Sequence, residues 1–340
     1  MNGINNIMRR RDETILETKN IKTIGVLTSG GDAPGMNPAI RSVVRSGIYN
    51  GFKVMGIRKG FIGLLNGDII EMTNRSVSDI INRGGTILQT GRCAELMTLE
   101  GQKKAVNMAK VFGIDALVIL GGDGSFRGGY DLSKLDMPFI GVPCTIDNDI
   151  DSTEYTIGFD TCCNTVQDAI DKIRDTAYSH ERCSVVEVMG RNSGQIALNI
   201  SVACGAEAVI IPEMPYDFNK NIIRPIIEGK NRGKQHYIIL LAEGIGGAVE
   251  IASQIEEITG ISTRATILGY IQRGGSPTPR DRVIASLMGA KATQLLKDGI
   301  YNRLVVRSNN MITDVSVEEG LKMKKSLDEF MYEVNNILSL

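Results

Sequence analysis

Short apolar runs recur along this chain, and amphipathic or helix-capped segments separate them almost from one end to the other. The runs are rich in Val, Ile and Leu and have the lengths of buried strands. Strands that alternate with helices in this way form α/β folds whose sheets are largely parallel. The predicted strands are 23–28, 54–57, 116–120, 139–142, 184–188, 208–211, 237–241 and 304–306.

Two of these predicted strands end in glycine-rich turns that carry an acid. The first leads into 29–35 (SGGDAPG), and the third leads into 121–125 (GGDGS). Glycine lets backbone N–H groups approach an anion closely, and an aspartate beside them can hold the divalent cation that bridges phosphates. Neither turn matches the GxxxxGK[ST] or GxGxxG pattern. Each turn alone indicates only a tight strand-to-helix connection, but two of them at strand ends predict a shared ligand crevice.

A further strand end packs two carboxylates and a hydroxyl into five residues. The run 139–142 continues into 145–149 (TIDND), which contains Thr145, Asp147 and Asp149. A carboxylate can take the proton from a hydroxyl nucleophile, and phosphoryl transfer needs such a base beside a metal ion and cations. We therefore interpret 145–149 as the catalytic loop of a phosphoryl-transfer enzyme.

Arginines recur beside glycines or near predicted sheet edges. Arg92, Arg191 and Arg273 each adjoin a glycine, and Arg264 lies near a sheet edge. A guanidinium binds phosphate through two parallel hydrogen bonds, and a helix N-terminus adds a favourable dipole. One such arginine is more often structural, but the recurrence in an otherwise neutral chain favours a phosphorylated substrate.

The composition limits the remaining function classes. With 340 residues, the chain is long enough for roughly two domains. A formal net charge of −1 offers no overall attraction to nucleic acid or to an acidic membrane, and no apolar run approaches the length of a membrane helix. Six cysteines without a CxxC pair, beside two histidines, support neither a zinc site nor a disulfide framework, which favours a reducing cytoplasm. Residues 1–20 are interpreted as a frayed extension or an expression artefact.

Five ordered motifs resemble those of the bacterial-type 6-phosphofructokinase family between about residues 22 and 304. They are 25–37 (GVLTSGGDAPGMN), 121–125 (GGDGS), 145–149 (TIDND), 188–191 (VMGR) and 271–277 (IQRGGSP). The resemblance implies an α/β fold of two docked domains, each a largely parallel sheet covered by helices. The implied ATP-binding domain comprises 21–158 and about 272–322, and the implied fructose 6-phosphate-binding domain comprises about 159–271 and 323–340.

The same resemblance implies a reaction and its residues. The γ-phosphoryl group of ATP passes to the 1-hydroxyl of fructose 6-phosphate, giving fructose 1,6-bisphosphate and ADP in the committed step of glycolysis. The implied ATP site consists of Gly31, Arg92, Cys93, Asp123, Gly124 and Ser125, with Asp123 on Mg²⁺. The implied catalytic residues are Asp147 as the base, Thr145, Asp149 and Arg191. The implied substrate-binding residues are Thr145, Ile146, Asp147, Met189, Gly190, Arg191, Glu243, Tyr270 and Arg273, with Arg182 and Arg264 from a neighbouring subunit of a homotetramer.

Two positions depart from the family pattern. Tyr270 stands where many members have a histidine that touches the 6-phosphate, and a phenol brings no charge. Cys144 stands where ATP-using members commonly have glycine. The pyrophosphate-using branch typically has aspartate at the position of Gly124 and lysine at that of Cys144. Neither is present, so ATP is the expected donor.

The resemblance also implies an effector site at a subunit interface that binds ADP or phosphoenolpyruvate. Its matching positions are Arg41, Arg45, Arg174, Gly205, Glu207, Arg232, Lys234 and His236. Cations from separate segments form one polyanion site if the fold brings them together. One family cation is replaced by Asn74, which leaves the effector and the direction of control open.

Three alternatives remain beside the ATP-dependent kinase. A pyrophosphate-dependent phosphofructokinase has the same fold and differs in its donor. A catalytically inactive nucleotide-sensing protein would also keep the glycine turns, although the presence of Asp123, Asp147 and Arg191 speaks against it. A nicotinamide-dependent oxidoreductase is disfavoured because the dinucleotide fingerprint is broken.

Overall fold

The computed structural model describes residues 20–324 and 327–339. The expected amino-terminal extension therefore lies outside the described residues, apart from Asn20. The chain forms two sheets covered by helices, which confirms the α/β fold with two largely parallel sheets. Within the described part, no helix has the length and apolar character needed to cross a membrane.

The large sheet has seven strands in the order β11-β10-β5-β4-β1-β2-β3. Its strands are β1 (Thr23–Thr28), β2 (Lys53–Ile57), β3 (Ile69–Met72), β4 (Ala116–Gly121), β5 (Phe139–Pro143), β10 (Arg303–Ser308) and β11 (Met311–Ser316). The five central strands run parallel, and the edge strands β3 and β11 are antiparallel to their neighbours. A parallel centre needs cover on both faces, which helices provide.

The small sheet has four parallel strands in the order β7-β8-β6-β9. Its strands are β6 (Cys183–Val188), β7 (Ala208–Ile210), β8 (Tyr237–Ala242) and β9 (Thr263–Ile267). All six residues of β8 are buried, because this strand lies at the centre of the sheet with helices over both faces.

Helices connect and cover the strands. They are α1 (Met36–Tyr49), α2 (Phe61–Asn66), α3 (Leu99–Val111), α4 (Asp123–Ser133), α5 (Phe159–Ser179), α6 (Gln195–Cys204), α7 (Arg224–Asn231), α8 (Ala248–Thr259), α9 (Pro279–Lys297), α10 (Val317–Gly320) and α11 (Glu329–Leu338). Single helical turns cover Glu95–Met97, Asn219–Ile223 and Gly269–Arg273. Helices α1 and α9 pack closely on each other beside the large sheet, while α5, α6 and α11 pack together beside the small sheet.

All eight predicted strands are present, and three further strands were missed. The missed strands β3, β9 and β11 lie at sheet edges, where one side has no neighbour. Edge strands keep polar and exposed residues, as in TRATI of β9 and MITDVS of β11. Their sequences therefore lack the apolar run that marks a central strand.

Candidate active site

The 145–149 loop is held in place by the strand-like segment that follows it. Cys144 pairs with Ile157 in an isolated parallel bridge just beyond β5. The Thr156 hydroxyl donates a 2.7 Å hydrogen bond to the Thr145 carbonyl, and the Thr156 N–H donates to Asn148 Oδ1 at 3.1 Å. Asn148 has a φ of 50°, a left-handed conformation that asparagine tolerates well. The loop therefore has a defined backbone although it lies between secondary structure elements.

Asp147 is the most strongly perturbed carboxyl group of this loop. Burial, followed by the charges of Asp149 and Glu243, raises the pKa of Asp147 to about 6, while Arg273 and Thr145 act in the opposite direction. The Asp147 N–H donates to Thr145 Oγ1 at 3.2 Å. A carboxyl group with a pKa near neutrality is suited to exchanging a proton with a bound hydroxyl.

Asp149 points toward a second group of charges. Burial raises the pKa of Asp149, the charge of Arg191 lowers it, and the carboxylates of Asp123 and Asp151 raise it. Asp123, Asp149 and Arg191 line one cavity of about 220 Å³. The turns after β4, β5 and β6 therefore meet in one crevice between the two sheets. We name it the carboxyl-end crevice, because its residues follow the carboxyl ends of strands.

Asp123 is the candidate metal ligand of this crevice. Its carboxylate pairs with Arg127 one helical turn along α4, at 2.7 Å to Nε and 3.2 Å to Nη2. A Cβ atom added at Gly122 or Gly124 would meet no atom within 4 Å, so both glycines face open space. Within the described residues, no three Asp, Glu, His or Cys side chains gather as a metal cage. One carboxylate at an open turn suits Mg²⁺ that keeps waters and phosphate oxygens as its other ligands.

The first glycine turn lies against the same crevice. A Cβ atom at Gly31 would come within 3.6 Å of the Arg273 guanidinium, and one at Gly30 would lie 3.6 Å from Ser125 Oγ. The Thr90 hydroxyl donates to the Gly30 carbonyl at 2.9 Å. This bond brings the 90–93 segment to the turn, so exposed Arg92 and half-buried Cys93 lie two and three residues from a direct contact with it.

The opposite wall is built by the turns after β6 and β8. The Met189 N–H donates to Gln272 Oε1 at 3.0 Å, and the Arg191 N–H donates to Glu243 Oε1 at 2.6 Å. Gly190 has a φ of 139° and Arg191 a φ of 59°. Glycine adopts such a conformation readily, whereas arginine does so rarely, so the tight turn holds the Arg191 backbone at the crevice.

Arg273 and Tyr270 lie together at the end of the Gly269–Arg273 turn. The Arg273 guanidinium lies 5.3 Å from the centre of the Tyr270 ring, while 79% of Tyr270 is exposed. Ile146 is only 3% exposed and belongs to the core. Only the backbone of Ile146 is therefore positioned to contact a ligand.

Arg182 and Arg264 are placed at the opposite end of the small sheet. Arg182 precedes β6, whereas Met189 follows it, and Arg264 pairs in register with Ser184 near the start of β6. A six-residue strand is roughly 20 Å long. Within one chain, these two arginines are therefore separated from the carboxyl-end crevice by the length of the sheet.

Most of the predicted effector residues gather near the amino ends of the same sheet. The Arg174 guanidinium donates to the Cys204 carbonyl, which adjoins Gly205. Lys234 Nζ lies 2.7 Å from Glu207 Oε1, and Glu207 Oε2 accepts the Ile238 N–H. We name Arg174, Glu207, Lys234 and His236 the amino-end cluster.

The amino-end cluster holds two permanent cations, Arg174 and Lys234, beside a histidine whose pKa is lowered. Burial, then the charges of Arg174 and Lys234, lower the pKa of His236, while Glu207 acts in the opposite direction. The His236 ring packs edge-on against Tyr178 at 5.6 Å between ring centres. Exposed Arg232 lies two residues before Lys234 in sequence.

Arg41 and Arg45 are separate from this cluster. Both lie on α1, which packs on β1, β2, β4 and α9 beside the large sheet. In residues 20–324 and 327–339, neither guanidinium forms a hydrogen bond or an ion pair. The single chain therefore brings five of the eight predicted effector positions close to one another. Arg232 lies two residues before Lys234, and Arg41 and Arg45 lie elsewhere.

Several residues that organise the crevice were not singled out from the sequence. Gln272 and Asp281 are fully buried and bind backbone groups of neighbouring segments, and Arg127 pairs with Asp123. Asp281 falls in the first turn of a helix, where an acid is ordinary because of the helix dipole. No sequence signal distinguishes it from such an acid.

A larger cavity, of about 430 Å³, lies behind the loop. Asn148, Tyr155, Asp160 and Arg280 contribute to its wall, together with residues of α5, α6 and α11. None of the predicted site residues lines it among those described. Three predicted site residues, Asp123, Asp149 and Arg191, instead line the smaller cavity.

Comparisons with known proteins identify the family of this chain. The model of the phosphofructokinase family matches residues 23–296. The ATP-dependent 6-phosphofructokinase of Clostridium botulinum (strain Hall) is 58% identical over 319 residues, covering 94% of this chain and 100% of that protein. The enzyme of the same name from Clostridium acetobutylicum is 56% identical over the same shares.

Solved structures show the same fold. A phosphofructokinase structure from Saccharomyces cerevisiae has a TM-score of 0.84 and 31% identity, and a T-state structure from Pichia pastoris has 0.85 and 32%. Each match covers 94% of this chain, which spans 48% and 40% of the two yeast chains. A pyrophosphate-dependent phosphofructokinase from Marinobacter aquaeolei has a TM-score of 0.80 at 20% identity, covering 91% of this chain and 86% of that one, and so shares the fold alone. Since the family model matches most of the chain and close relatives match along their full length, this chain belongs to the phosphofructokinase family.

Proposed function

We propose that this chain transfers the γ-phosphoryl group of ATP to the 1-hydroxyl of fructose 6-phosphate, giving fructose 1,6-bisphosphate and ADP in glycolysis. One observation carries the proposal. The carboxyl-end crevice brings together Asp149, an acid at an open glycine turn and a guanidinium from three separate strand ends. Half-buried Asp147, whose pKa is raised to about 6, lies two residues before Asp149 on the same loop. Those groups are what phosphoryl transfer to a hydroxyl requires.

Asp147 acts as the general base in this proposal. A sugar hydroxyl is a poor nucleophile until its proton has an acceptor, and a carboxyl group with a pKa of about 6 is largely ionised at neutral pH. Thr145 orients Asp147 through the bond to its N–H. Asp149 supports the same loop and faces Arg191 across the crevice.

Charge on the transferred group is balanced by a metal ion and cations. Mg²⁺ would neutralise charge on the phosphate oxygens, and we propose the Asp123 carboxylate as the residue that would hold it. Arg191 stabilises the negative charge of the phosphoryl group in the transition state. Gly31, Arg92, Cys93, Gly124 and Ser125 complete the proposed ATP site.

The sugar phosphate is proposed to bind along the opposite wall. Met189 and Gly190 offer the backbone of a tight turn, and Glu243 fixes the Arg191 backbone while presenting a carboxylate to the sugar. Arg273 supplies a positive charge near Asp147. The remaining proposed contacts are the backbone of Ile146 and the exposed phenol of Tyr270.

We also propose that the active site is shared between subunits of a homotetramer. Arg182 and Arg264 lie at the far end of the small sheet from the crevice. They can serve a crevice only if a second chain presents them to it. A monomer would then lack two guanidinium groups of its substrate site.

Regulation is assigned to the amino-end cluster, with ADP or phosphoenolpyruvate as the effector. Arg174 and Lys234 carry two positive charges against one buried carboxylate, Glu207, which leaves a net positive charge for a polyanion, and His236 adds an imidazole beside them. Arg232 and Gly205 lie beside them in sequence. In this proposal, Arg41 and Arg45 reach the effector from another subunit, since α1 packs elsewhere within its own chain.

The domain bounds and the compartment are part of the same proposal. The ATP-binding domain comprises 21–158 and about 272–322, and the sugar-phosphate domain comprises about 159–271 and 323–340. The two sheets support this division, since the large sheet uses strands from 23–143 and 303–316 and the small sheet uses strands from 183–267. Six cysteines without a disulfide fit a reducing cytoplasm.

The deciding experiment compares donors. Fructose 6-phosphate and Mg²⁺ are supplied with ATP or with pyrophosphate, and the phosphorylated product is identified. We expect fructose 1,6-bisphosphate with ATP alone, because Gly124 leaves open space where the pyrophosphate branch has aspartate. Turnover only with pyrophosphate would contradict ATP as the phosphoryl donor. Inactivity with both donors would favour a catalytically inactive nucleotide-sensing protein.

Subunit sharing is tested by mixing two inactive variants. Arg264→Ala and Asp147→Asn chains are each assayed alone and then after co-assembly. If Arg264 serves a neighbouring chain, some mixed sites contain both intact residues and activity returns. An active monomer in sedimentation, or no recovery in verified mixed tetramers, would contradict sharing.

A further inference from the structure

Asp281 is a buried carboxylate in the first turn of α9. It has no exposed surface. Its Oδ1 accepts the Tyr155 hydroxyl at 2.7 Å and the Gly158 N–H at 2.8 Å. Its Oδ2 accepts the Thr161 N–H at 2.9 Å and the Thr161 hydroxyl. Four hydrogen bonds therefore fasten α9 to the 155–161 segment, which we name the clasp segment.

These bonds do not serve as a cap for α9 itself. Thr278 is the N-cap residue, and its hydroxyl accepts the Asp281 N–H at 3.3 Å. All four donors to the Asp281 carboxylate lie more than one hundred residues away in sequence. Burial raises the pKa of Asp281, and hydrogen bonds from Thr161, Gly158 and Tyr155 act against that rise. Such a costly buried group is tolerated because it is fully hydrogen-bonded.

The clasp segment holds the catalytic loop directly. Thr156 follows Tyr155 and bonds to both the Thr145 carbonyl and Asn148 Oδ1. Ile157 bridges to Cys144, which precedes the loop. Any shift of the segment is therefore passed to the backbone on both sides of Asp147.

The carboxyl-terminal end of the clasp segment binds Thr278, which follows Arg273 closely in sequence. Thr278 lies five residues after Arg273, and its hydroxyl donates to Asp160 Oδ2 at 2.7 Å. The Thr278 N–H donates to the Thr161 hydroxyl at 3.0 Å. Arg280 adds a longer ion pair with Asp160 at 3.7 Å. The start of α9 and the start of α5 are thus tied together by several bonds around one carboxylate.

We propose that Asp281 is a positioning residue for phosphoryl transfer, which sets the catalytic loop against Arg273 by fixing the clasp segment. The inference rests on the proposed function, because that function makes Asp147 the general base and Arg273 a substrate-binding residue of the same reaction. The Asp281 carboxylate does not line the crevice, so it acts through its direct partners Tyr155, Gly158 and Thr161. Displacing a catalytic group by about 1 Å lowers a rate by about 10²-fold, so a remote carboxylate can matter strongly.

The first test is Asp281→Asn in the full chain. The amide keeps the shape but places an NH₂ group against N–H or O–H donors, so one side of the clasp opens. We expect kcat to fall by about 10- to 100-fold, the KM for fructose 6-phosphate to rise, and the KM for MgATP to stay at its wild-type value. The matched control is Asp298→Asn at the other end of α9, where the carboxylate accepts only an exposed Gln294 side chain.

Two milder variants keep Asp281 and guard against misfolding. Tyr155→Phe removes one of the four donors, and Thr156→Val removes the bond to the Thr145 carbonyl. We expect each to lower kcat less than Asp281→Asn does. Hydrogen exchange of the amides of residues 145–149 should likewise accelerate less in these two variants than in Asp281→Asn. This measurement reports the stability of the loop independently of turnover.

The outcomes separate this inference from the proposed function. An Asp281→Asn protein that melts earlier but keeps wild-type kcat and loop exchange well below its melting temperature overturns the positioning role. If the wild-type chain itself fails to phosphorylate fructose 6-phosphate, the proposed function fails. In that case, hydrogen exchange of residues 145–149 still tests the positioning role of Asp281. Faster exchange in Asp281→Asn would support that role, and unchanged exchange would reject it.

Discussion

The carboxyl-end crevice and the amino-end cluster both place carboxylates beside cations, but they use them differently. In the amino-end cluster, the Glu207 side chain is 3% exposed and is bound directly by Lys234 and by the Ile238 N–H. Beside the carboxyl-end crevice, Asp147 forms no ion pair with any described residue. The cation that acts on it, Arg273, is outweighed by burial and by neighbouring acids.

This difference separates a structural carboxylate from a reactive one. A buried carboxylate with direct donors holds its partners in place, here Lys234 at a cation-rich surface. A carboxyl group that is buried without a direct cation keeps its proton to higher pH and can exchange it near neutrality. The comparison supports the proposal that an anion binds at the amino ends of the small sheet and that proton transfer occurs in the loop after β5 of the large sheet.

The largest effect that would sharpen this comparison comes from Asp147→Asn. The amide cannot accept a proton, so we expect turnover to fall by about 10²- to 10⁴-fold, the usual contribution of a general base. Steady-state kinetics at saturating ATP and fructose 6-phosphate measure the loss, and circular dichroism checks the fold. Asp131→Asn, which alters only an exposed pair with Lys134 on α4, serves as the control. A near-normal rate for Asp147→Asn would remove that residue from the role of base.

The next largest effect is the pH dependence of kcat. A base with a pKa of about 6 is lost by protonation as the pH falls, so kcat should drop about tenfold per pH unit below about 6. Glu243→Gln removes a charge that raises the pKa of Asp147, so the acid limb should move to lower pH. If the acid limb of the pH profile had the same midpoint in Glu243→Gln as in the wild type, a group other than Asp147, such as the substrate phosphate, would be responsible for it.

The amino-end cluster is tested by Arg174→Gln. Loss of one guanidinium from a polyanion site should weaken binding of ADP or phosphoenolpyruvate by about tenfold, the value of one charge-assisted hydrogen bond. Equilibrium dialysis measures the affinity directly. Lys172→Gln, on the same helix in an exposed pair with Asp168, is the matched control. Unchanged affinity in Arg174→Gln would take this arginine out of the effector site.

The smallest effects are opposite changes in stability at the two regions. The pKa of Asp147 is raised on folding, so its ionised form destabilises the folded state above about pH 6 and the penalty is relieved as the pH falls toward 4. Asp147→Asn should therefore raise the free energy of unfolding at pH 7 by about 1–3 kcal/mol. Glu207→Gln should lower it by about 1–3 kcal/mol, because it weakens the bond to Lys234.

Urea unfolding at pH 7 and pH 5 measures both changes. The gain in Asp147→Asn should shrink at the lower pH, where the wild-type carboxyl group is protonated in the folded state. If both variants lost stability equally at pH 7, the distinction between a reactive and a structural carboxylate would fail.

Much of the fold was predictable because its central strands are continuous apolar runs that end in glycine turns. Thr23–Thr28 and Ala116–Gly121 illustrate the pattern, since burial on both faces demands apolar side chains throughout. The edge strand Met311–Ser316 was missed for the opposite reason, since no residue of it is buried. The sequence also identified which turns carry acids and arginines, because residue type and spacing are properties of the chain alone.

Distances between those turns, and the ends of the sheets at which they lie, depend on tertiary structure. Met189 and Arg182 are seven residues apart, yet the strand between them sends them to opposite ends of the small sheet. Asp281 looks like an ordinary acid in a first helical turn, yet folding buries it among donors from the clasp segment. The sequence by itself determined eight of the eleven described strands, the glycine turns and the chemical groups that they carry. Only the tertiary structure decided which of those groups meet and how far burial moves the pKa of Asp147, because both depend on contacts between segments that are distant along the chain.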